Sequence, residues 1–284
     1  MLKDYHLKIV TSMSKISVYG GTGFIGGTFC EMFPEEVALV SREERKPKSN
    51  DILYLISTTS NYNVLEDVAL DVKTNLNVLM ETLEHCKSKN IVFNYISTGF
   101  VYGPNILYTK EDAPCDPRGF YSITKRAAEQ LIISFCQVHE VKYRIMRIAN
   151  VYGQDKTVSS KKNVLGFLIE LMKNNKPITL YDNGCDLRDY MHVKDVCRAL
   201  KLVMDKGEHN SIYNIASGTA LPFRKVIEVC KDILRSDSEL LSAETPRFNQ
   251  LVQTKHFALN ADKLKELGFV QQIDMYSGLQ SICK

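Results

Sequence analysis

The sequence predicts an α/β fold: a doubly wound parallel sheet followed by a smaller C-terminal substrate-binding part. Three observations predict it. Short apolar runs of strand length alternate with helical patterns through the first half of the chain. Polar residues gather just after those runs, at the ends where parallel sheets collect ligands. Beyond about residue 153 the alternation gives way to loops such as YDNGCD at 181–186. Residues 1–152 are therefore expected to form the sheet domain. Residues 153–284 are expected to form the substrate-binding part, interleaved with the last strands of the sheet.

The elements follow in order. Residues 16–19 read as a buried strand that ends in glycines, and 26–33 as a helix limited to about two turns by Pro34. Residues 37–40 and 52–56 are two further apolar runs, the second followed by Ser57-Thr-Thr-Ser60. Val72, Leu76, Leu79, Met80 and Leu83 fall on one face of a helix expected over about 71–88. Residues 91–96 form the next strand. Residues 121–139 form a long helix with Ala128, Leu131, Ile132, Phe135 and Cys136 on one stripe, and 143–148 return to a strand.

Composition narrows the class. The chain has 284 residues, 44% of them hydrophobic and 24% charged, with a formal net charge of +3. That is enough apolar material for a core and too little charge to argue for nucleic acid or an anionic membrane surface. Eight cysteines show no C-x-x-C spacing, so neither a metal site nor a dithiol motif is indicated. The first residues, MLKDYHLKIVTSMSK, lack an apolar run of signal length, and no window reads as a membrane span. A reducing, cytoplasmic setting is the expectation.

The stretch VYGGTGFIGGTFC at 18–30 runs from strand through glycines into helix. In that context Gly20 makes the tight turn, Gly23 lets the backbone approach a pyrophosphate, and Gly26 lets the helix pack on its strand. Phe24 and Ile25 share the loop. The helix start offers free N–H groups and partial positive charge to phosphates. The spacing is G-x-x-G-x-x-G, not the G-x-G-x-x-G of the general dinucleotide fingerprint. After the next apolar run stand Ser41 and Arg42, where an acidic residue ordinarily bonds a ribose diol. A hydroxyl and a guanidinium suit a 2′-phosphate better, so the cofactor is expected to be NAD(P), leaning to NADP. Ser57 and Thr58, at the end of another strand, are further candidates for holding it.

A second cluster carries chemistry. Tyr121 and Lys125 are four residues apart and share a helical face. A phenol with an ordinary pKa of about 10 is a poor base at neutral pH. A nearby ammonium is expected to favour the phenolate. Tyr121 then exchanges a proton with a sugar hydroxyl while hydride moves at the same carbon. Upstream, Ser97 and Thr98 end a strand, where a hydroxyl can hold the reacting oxygen.

With glycine loop, strand-end hydroxyl and Y-x-x-x-K in this order, the chain resembles the extended short-chain dehydrogenase/reductase family of nucleotide-sugar epimerases and dehydratases. GGTGFIG at 20–26 is similar to that family's cofactor loop. STGFVYG at 97–103 resembles its S-[ST]-x-x-V-Y-G segment, which implies Thr98 as the catalytic hydroxyl beside Tyr121 and Lys125. RIANVYG at 147–153 and LRDYMHVKD at 187–195 resemble segments whose asparagine and arginine contact a substrate diphosphate, which implies Asn150 and Arg188. Arginine suits phosphate through bidentate, charge-assisted bonds. Arg147, His192 and Asp195 read as structural. The resemblance implies a Rossmann-type, NAD(P)-binding first domain, a nucleotide-diphosphate sugar as substrate, no metal, and a homodimer formed through the helices at about 71–88 and 121–139.

Three departures from the family pattern matter. Residues 26–51 are short, with room for little more than one strand, so the adenine side of the pocket is expected to be open. Gly99 and Phe100 stand where dehydratases carry Asp-Glu, and neither can act as acid or base. Members that epimerise C3 and C5 carry a cysteine beside the catalytic hydroxyl and a histidine after N-x-Y-G. Gly99 and Gln154-Asp155-Lys156 stand there instead. Cys115 and Cys185 are the loop thiols able to approach a sugar. The leading expectation is an epimerase acting by hydride transfer at a ring carbon, C4, through a keto intermediate. Alternatives are a 4-dehydrogenase or 4-keto-sugar reductase using NADP(H), and a non-catalytic NAD(P) sensor, which ordinarily loses the tyrosine or the lysine that this chain keeps.

Overall fold

The computed structural model describes residues 15–104, 106–154 and 163–284. The strands are β1 (Ile16–Tyr19), β2 (Val37–Val40), β3 (Asp51–Tyr54), β4 (Val92–Thr98), β5 (Ile106–Thr109), β6 (Lys142–Ile148), β7 (Asn150–Tyr152), β8 (Ile178–Tyr181), β9 (Leu187–His192), β10 (Ser211–Ile215), β11 (Ala220–Pro222), β12 (Leu240–Ala243) and β13 (Phe257–Leu259). The helices are α1 (Phe24–Met32), α2 (Leu70–Val72), α3 (Val78–Leu83), α4 (Phe120–His139), α5 (Val164–Lys173), α6 (Val193–Lys206), α7 (Phe223–Leu234), α8 (Arg247–Val252), α9 (Asp262–Glu266) and α10 (Met275–Ile282). No helix among the described residues is long and apolar enough to cross a membrane.

The main sheet has six strands in the order β10-β6-β4-β3-β1-β2, all parallel. Its inner strands are buried on both faces, so their sequences run apolar without alternation. On one face Val18, Leu53, Ile96 and Met146 pack against α6, with Phe29 of α1 in the same cluster. On the other, Ile52, Tyr54, Phe93 and Ile145 meet Leu79 and Leu83 of α3 and Ala128, Ile132 and Cys136 of α4. Strand β10 comes from the second half of the chain and closes one edge. A third core forms around α5, α7 and α10. Beneath the strand ends lies a fourth, built on Tyr102, Ile106, Ala149, Phe257 and Leu259.

Two expectations are corrected. The helix over 71–88 is broken. Residues 70–72 form one helical turn, Lys73–Asn77 adopt a π-helical turn, and α3 completes the segment. Buried polar side chains at Asp71 and Asn75 are the physical reason, since their hydrogen bonds fix the backbone here. Helix α1 begins at Phe24, before Gly26, with Gly23 at its N-cap.

The segment 41–50 forms neither helix nor strand. It crosses β1 as a loop laid on the sheet face. Ser17 Oγ accepts from the Lys48 and Ser49 amides at 2.9 and 2.8 Å. Tyr19 Oη donates to the Arg45 carbonyl at 2.7 Å, and Arg45 Nε donates to Glu81 Oε2 at 2.7 Å. The chain thus fills with a loop the face that a helix ordinarily covers, and β2 is left as the sheet edge.

Candidate active site

The carboxyl ends of β1, β3, β4 and β6 all open on one side of the parallel sheet. Gly20 follows β1 with φ +77°, the left-handed region that glycine tolerates. A Cβ on Gly26 would lie 2.3 Å from the Gly20 carbonyl oxygen, so only glycine permits this approach of helix to strand. No side chain caps α1 at Gly23, and the N–H groups of its first turn, at Phe24, Ile25 and Gly26, have no intrahelical acceptor. A bare helix start at a strand end suits a pyrophosphate. The residues present therefore fit a dinucleotide.

Ser41 and Arg42 follow β2 and are exposed. Three residues on, Glu44 Oε2 accepts from the Ser41 amide at 2.9 Å and pairs with Lys48 at 3.2 Å. A carboxylate does stand near the end of β2. It caps its own turn, which local sequence order hid.

Thr98 ends β4 and is 4% exposed. Its side chain acts on the Tyr121 phenol at the start of α4. Thr98 Oγ1 also accepts from the Phe100 amide at 3.3 Å. Burial pushes the Tyr121 phenol up to about 12; the Thr98 side chain opposes this and the Asp71 carboxylate adds to it. The expected lowering of Tyr121 by Lys125 is not found. Lys125 Nζ donates to the Ile96 carbonyl at 2.5 Å and lies 4.2 Å from the Tyr95 ring centroid, and burial holds it down to about 7. Its ammonium is engaged by the strand.

Ser57 and Thr58 follow β3 and belong to a polar network that the sequence reading missed. Asn75 Oδ1 accepts from the Thr58 amide at 2.8 Å and from Ser57 Oγ at 3.1 Å. Thr58 Oγ1 donates to Asp71 Oδ1, which also accepts from Asn63 Nδ2 at 3.0 Å. Asn75 Nδ2 reaches Thr124 of α4 at 2.9 Å. The 71/75 spacing, one helical turn, was the available signal.

Thr98 and Ile148 are paired across β4 and β6, so Asn150 lies just beyond the same edge. Asn150 Nδ2 donates to the Asp189 carbonyl at 3.0 Å. Arg188 is two residues from Tyr190, the register partner of Asn150. Its guanidinium is engaged within the fold: Nη1 donates to Leu187 and Lys255 carbonyls at 2.9 and 2.5 Å, and Nη2 meets Asp186 at 3.2 Å. A diphosphate there would share Arg188 with these partners. His192 Nδ1 caps α6, and Asp195 accepts from the Gln272 and Ile273 amides. Arg147 is tied twice to Glu129, at 3.0 and 2.8 Å. Cys115 is half-buried and Cys185 exposed, both as free thiols. Asp155 and Lys156 lie outside the described residues.

The space beside Thr98 is closed. A Cβ on Gly99 would lie 2.7 Å from Phe257 Cζ and 2.9 Å from Leu259 Cδ1. Phe100 stacks on Phe257 with ring centroids 4.8 Å apart.

The family model described as "NAD dependent epimerase/dehydratase family" matches residues 51–216, more than half of the chain. The chain belongs to that family. The match begins after the glycine loop and the short 41–50 segment. Among curated relatives, the trifunctional UDP-glucose 4,6-dehydratase/UDP-4-keto-6-deoxy-D-glucose 3,5-epimerase/UDP-4-keto-L-rhamnose-reductase of Arabidopsis thaliana is 31% identical over 223 residues. That alignment covers 73% of this chain and 32% of the relative, so the chain matches about a third of the plant protein. A putative UDP-glucose 4-epimerase of Methanocaldococcus jannaschii is 26% identical over 78% of this chain and 70% of its own. The fold matches the UDP-glucose 4-epimerase of Thermotoga maritima, solved with UDP-glucose, at TM-score 0.85 and 24% identity, covering 95% of this chain and 97% of that one. The RMD structure of Pseudomonas aeruginosa with NADPH matches at TM-score 0.82 and 22% identity, over 95% and 97% of the two chains.

Proposed function

We propose that this member of the family is an NAD(P)-dependent epimerase of nucleotide-diphosphate sugars, acting at one ring carbon, C4, through a keto intermediate. The observation that carries the reading is the nearness of the Thr98 side chain to the Tyr121 phenol, at the strand ends that also carry the glycine loop. NAD(P), when bound, supplies hydride acceptance and return; Gly20, Gly23, Phe24, Ile25 and Gly26 would hold its pyrophosphate, with Ser57, Thr58 and Lys125 beside its other end. Thr98 holds the sugar hydroxyl in line with Tyr121. Tyr121 Oη takes the hydroxyl proton as the carbon becomes a ketone and returns it when the ketone is reduced. Asn150 and Arg188 engage the diphosphate.

A 4,6-dehydration needs a further acid and base beside Thr98. The side chains of Phe257 and Leu259 occupy the space that such a residue at 99 would need, which supports chemistry limited to hydride and one proton. The second reading, an NADP(H)-using 4-dehydrogenase or 4-keto-sugar reductase, is favoured by Arg42, which is exposed at the end of β2 where a 2′-phosphate would lie. A homodimer is part of the proposal: Ile123, Leu131 and Val138 stand exposed along α4, and gel filtration of a pure monomer would refute the pairing.

Mass spectrometry of nucleotide released from purified, denatured protein tests the cofactor. Near-stoichiometric NAD(H) or NADP(H) supports an in-place cycle; an empty protein that binds NADPH reversibly supports the second reading. The Tyr121→Phe variant tests the enzyme itself, assayed on UDP-glucose, UDP-galactose, dTDP-glucose and GDP-mannose. Turnover should fall by about 10²–10⁴-fold with nucleotide binding kept. Unchanged turnover would overturn the assignment.

A further inference from the structure

The arginine that the proposed reaction assigns to the diphosphate is already held by a carboxylate. Arg188 Nη2 donates to Asp186 Oδ2 at 3.2 Å, and the two side chains are 22% and 23% exposed. Arg188 Nη1 is spent on the Leu187 and Lys255 carbonyls, so Nη2, the amine that meets Asp186, is one of the donors left for a ligand. Among the described residues no other group bonds the Asp186 carboxylate, and its Oδ1 is buried without a hydrogen bond. Taking the guanidinium from such a carboxylate, or sharing it with a second anion, costs free energy. The fold holds Asp186 in place. It follows a turn in which Asp182, Asn183 and Gly184 all have positive φ, at 45°, 59° and 68°. Such a run is strained at its two non-glycine members and persists only where neighbours hold it. Arg224 Nε donates to the Asn183 carbonyl at 2.9 Å, and the Phe223 amide donates to the Asp186 carbonyl at 2.9 Å.

We propose that Asp186 is a positioning residue that competes with the diphosphate for Arg188 and so selects against the extra negative charge of a free nucleoside diphosphate. The inference rests on the reading of Arg188 as a diphosphate-binding group. In a nucleotide sugar both phosphates are esterified, and the diphosphate carries about two negative charges at pH 7. Without the sugar, the terminal phosphate ionises a second time at about pH 6, so the free nucleotide carries about three. Each charge brought to Arg188 meets the Asp186 carboxylate beside it, and like charges at this range repel. The ligand with the larger charge is penalised more. Asp186 thus weakens the binding of every diphosphate, and it favours the sugar ester over the same nucleotide without its sugar. An ion pair that only ordered Arg188 would act the other way, because it would hold the guanidinium ready and tighten binding.

The test is Asp186→Asn, which keeps the shape and an oxygen for Arg188 and removes the charge. Isothermal titration calorimetry gives Kd on parent and variant for UDP and UDP-glucose, dTDP and dTDP-glucose, and GDP and GDP-mannose. For the pair that the parent binds best, the Kd of the sugar ester should fall by about two- to fivefold, the range of a part-exposed ion pair. The Kd of the free nucleotide should fall further, so the preference for the ester shrinks. Asp186→Ser, which is also uncharged, should show the same pattern if the asparagine variant does not fold. An unchanged or higher Kd in the uncharged variants overturns the proposal. So does an equal fall for ester and free nucleotide, which would assign the effect to shape and not to charge. Failure of the underlying reading is separate: Arg188→Met would then bind the nucleotides as the parent does, or the parent would bind none of them, and the proposal falls with that reading.

Discussion

Replacing Gly99 by alanine is the sharpest test of how the pocket wall is built. The added Cβ would stand 2.7 Å from Phe257 Cζ and 2.9 and 3.0 Å from the two Leu259 methyls. Ordinary carbon contacts begin near 3.5 Å, so the ring must retreat by most of an ångström. It has little room: Phe257 is 1% exposed and Leu259 is 0% exposed, and both belong to one closed cluster with Tyr102, Ile106 and Ala149. Overpacking of this kind costs about 1–3 kcal/mol. For a chain of this length that lowers Tm by roughly 2–4 °C per kcal/mol. Differential scanning calorimetry and urea midpoints of Gly99→Ala measure it directly. In a cycle with Phe257→Leu, which trims the ring, the alanine should cost clearly less than it does alone. If Gly99→Ala stays within about 0.5 kcal/mol of the parent, the range of a neutral surface change, the wall is not packed as described. The argument against a dehydratase acid at this position would then lose its steric half.

Two further predictions concern stability. Glu129→Gln removes one charge of the buried pair with Arg147, whose side chain is 2% exposed; breaking such a pair costs about 3–5 kcal/mol, and a urea midpoint within error of the parent would refute it. Asp189 is fully buried, and burial pushes its carboxyl from 3.8 up to about 6, against the bonds from Ser217 and Gly218. A raised folded-state pKa means that the native state binds more protons than the unfolded state, so this stabilisation is full below pH 3.8 and is lost as pH rises to about 6. Two-unit shifts of this kind correspond to about 3 kcal/mol, and Asp189→Asn should flatten that stretch of the stability–pH curve; an unchanged slope would refute the assignment.

The strands of the first half were legible because they are buried on both faces, which leaves unbroken apolar runs such as VFNYI at 92–96. The glycine loop was legible because backbone sterics at Gly20 and Gly26 admit one residue type. A strand-end hydroxyl ahead of the Y-x-x-x-K helix could be read from the chain, but the choice of Thr98 over Ser97 came from the family resemblance. Other features depend on contacts that local pattern does not carry. Arg188 is engaged by the carbonyl of Lys255, 67 residues away. The Asp71–Thr58–Asn75 network interrupts a helix whose apolar spacing looked continuous, since periodicity records which side chains avoid water and not which buried ones bond to each other. Lys125 donates to the Ile96 carbonyl for the same reason: helical spacing fixes which face it shares, not the direction of its long side chain.

The loop at 41–50 also has a consequence for how the sheet assembles. Strands β1, β2 and β3 all lie between residues 16 and 54, and the link between the last two is ten residues long, 41–50. Closing a loop of this size takes on the order of 10–100 ns and little chain entropy. This corner of the sheet can therefore form while most of the polypeptide is still unstructured. The opposite edge cannot, because β10 pairs with β6 only after residues 149–210 have been laid down between them. The short crossover thus orders assembly in time, with the strands around the glycine loop first and the interleaved strand last.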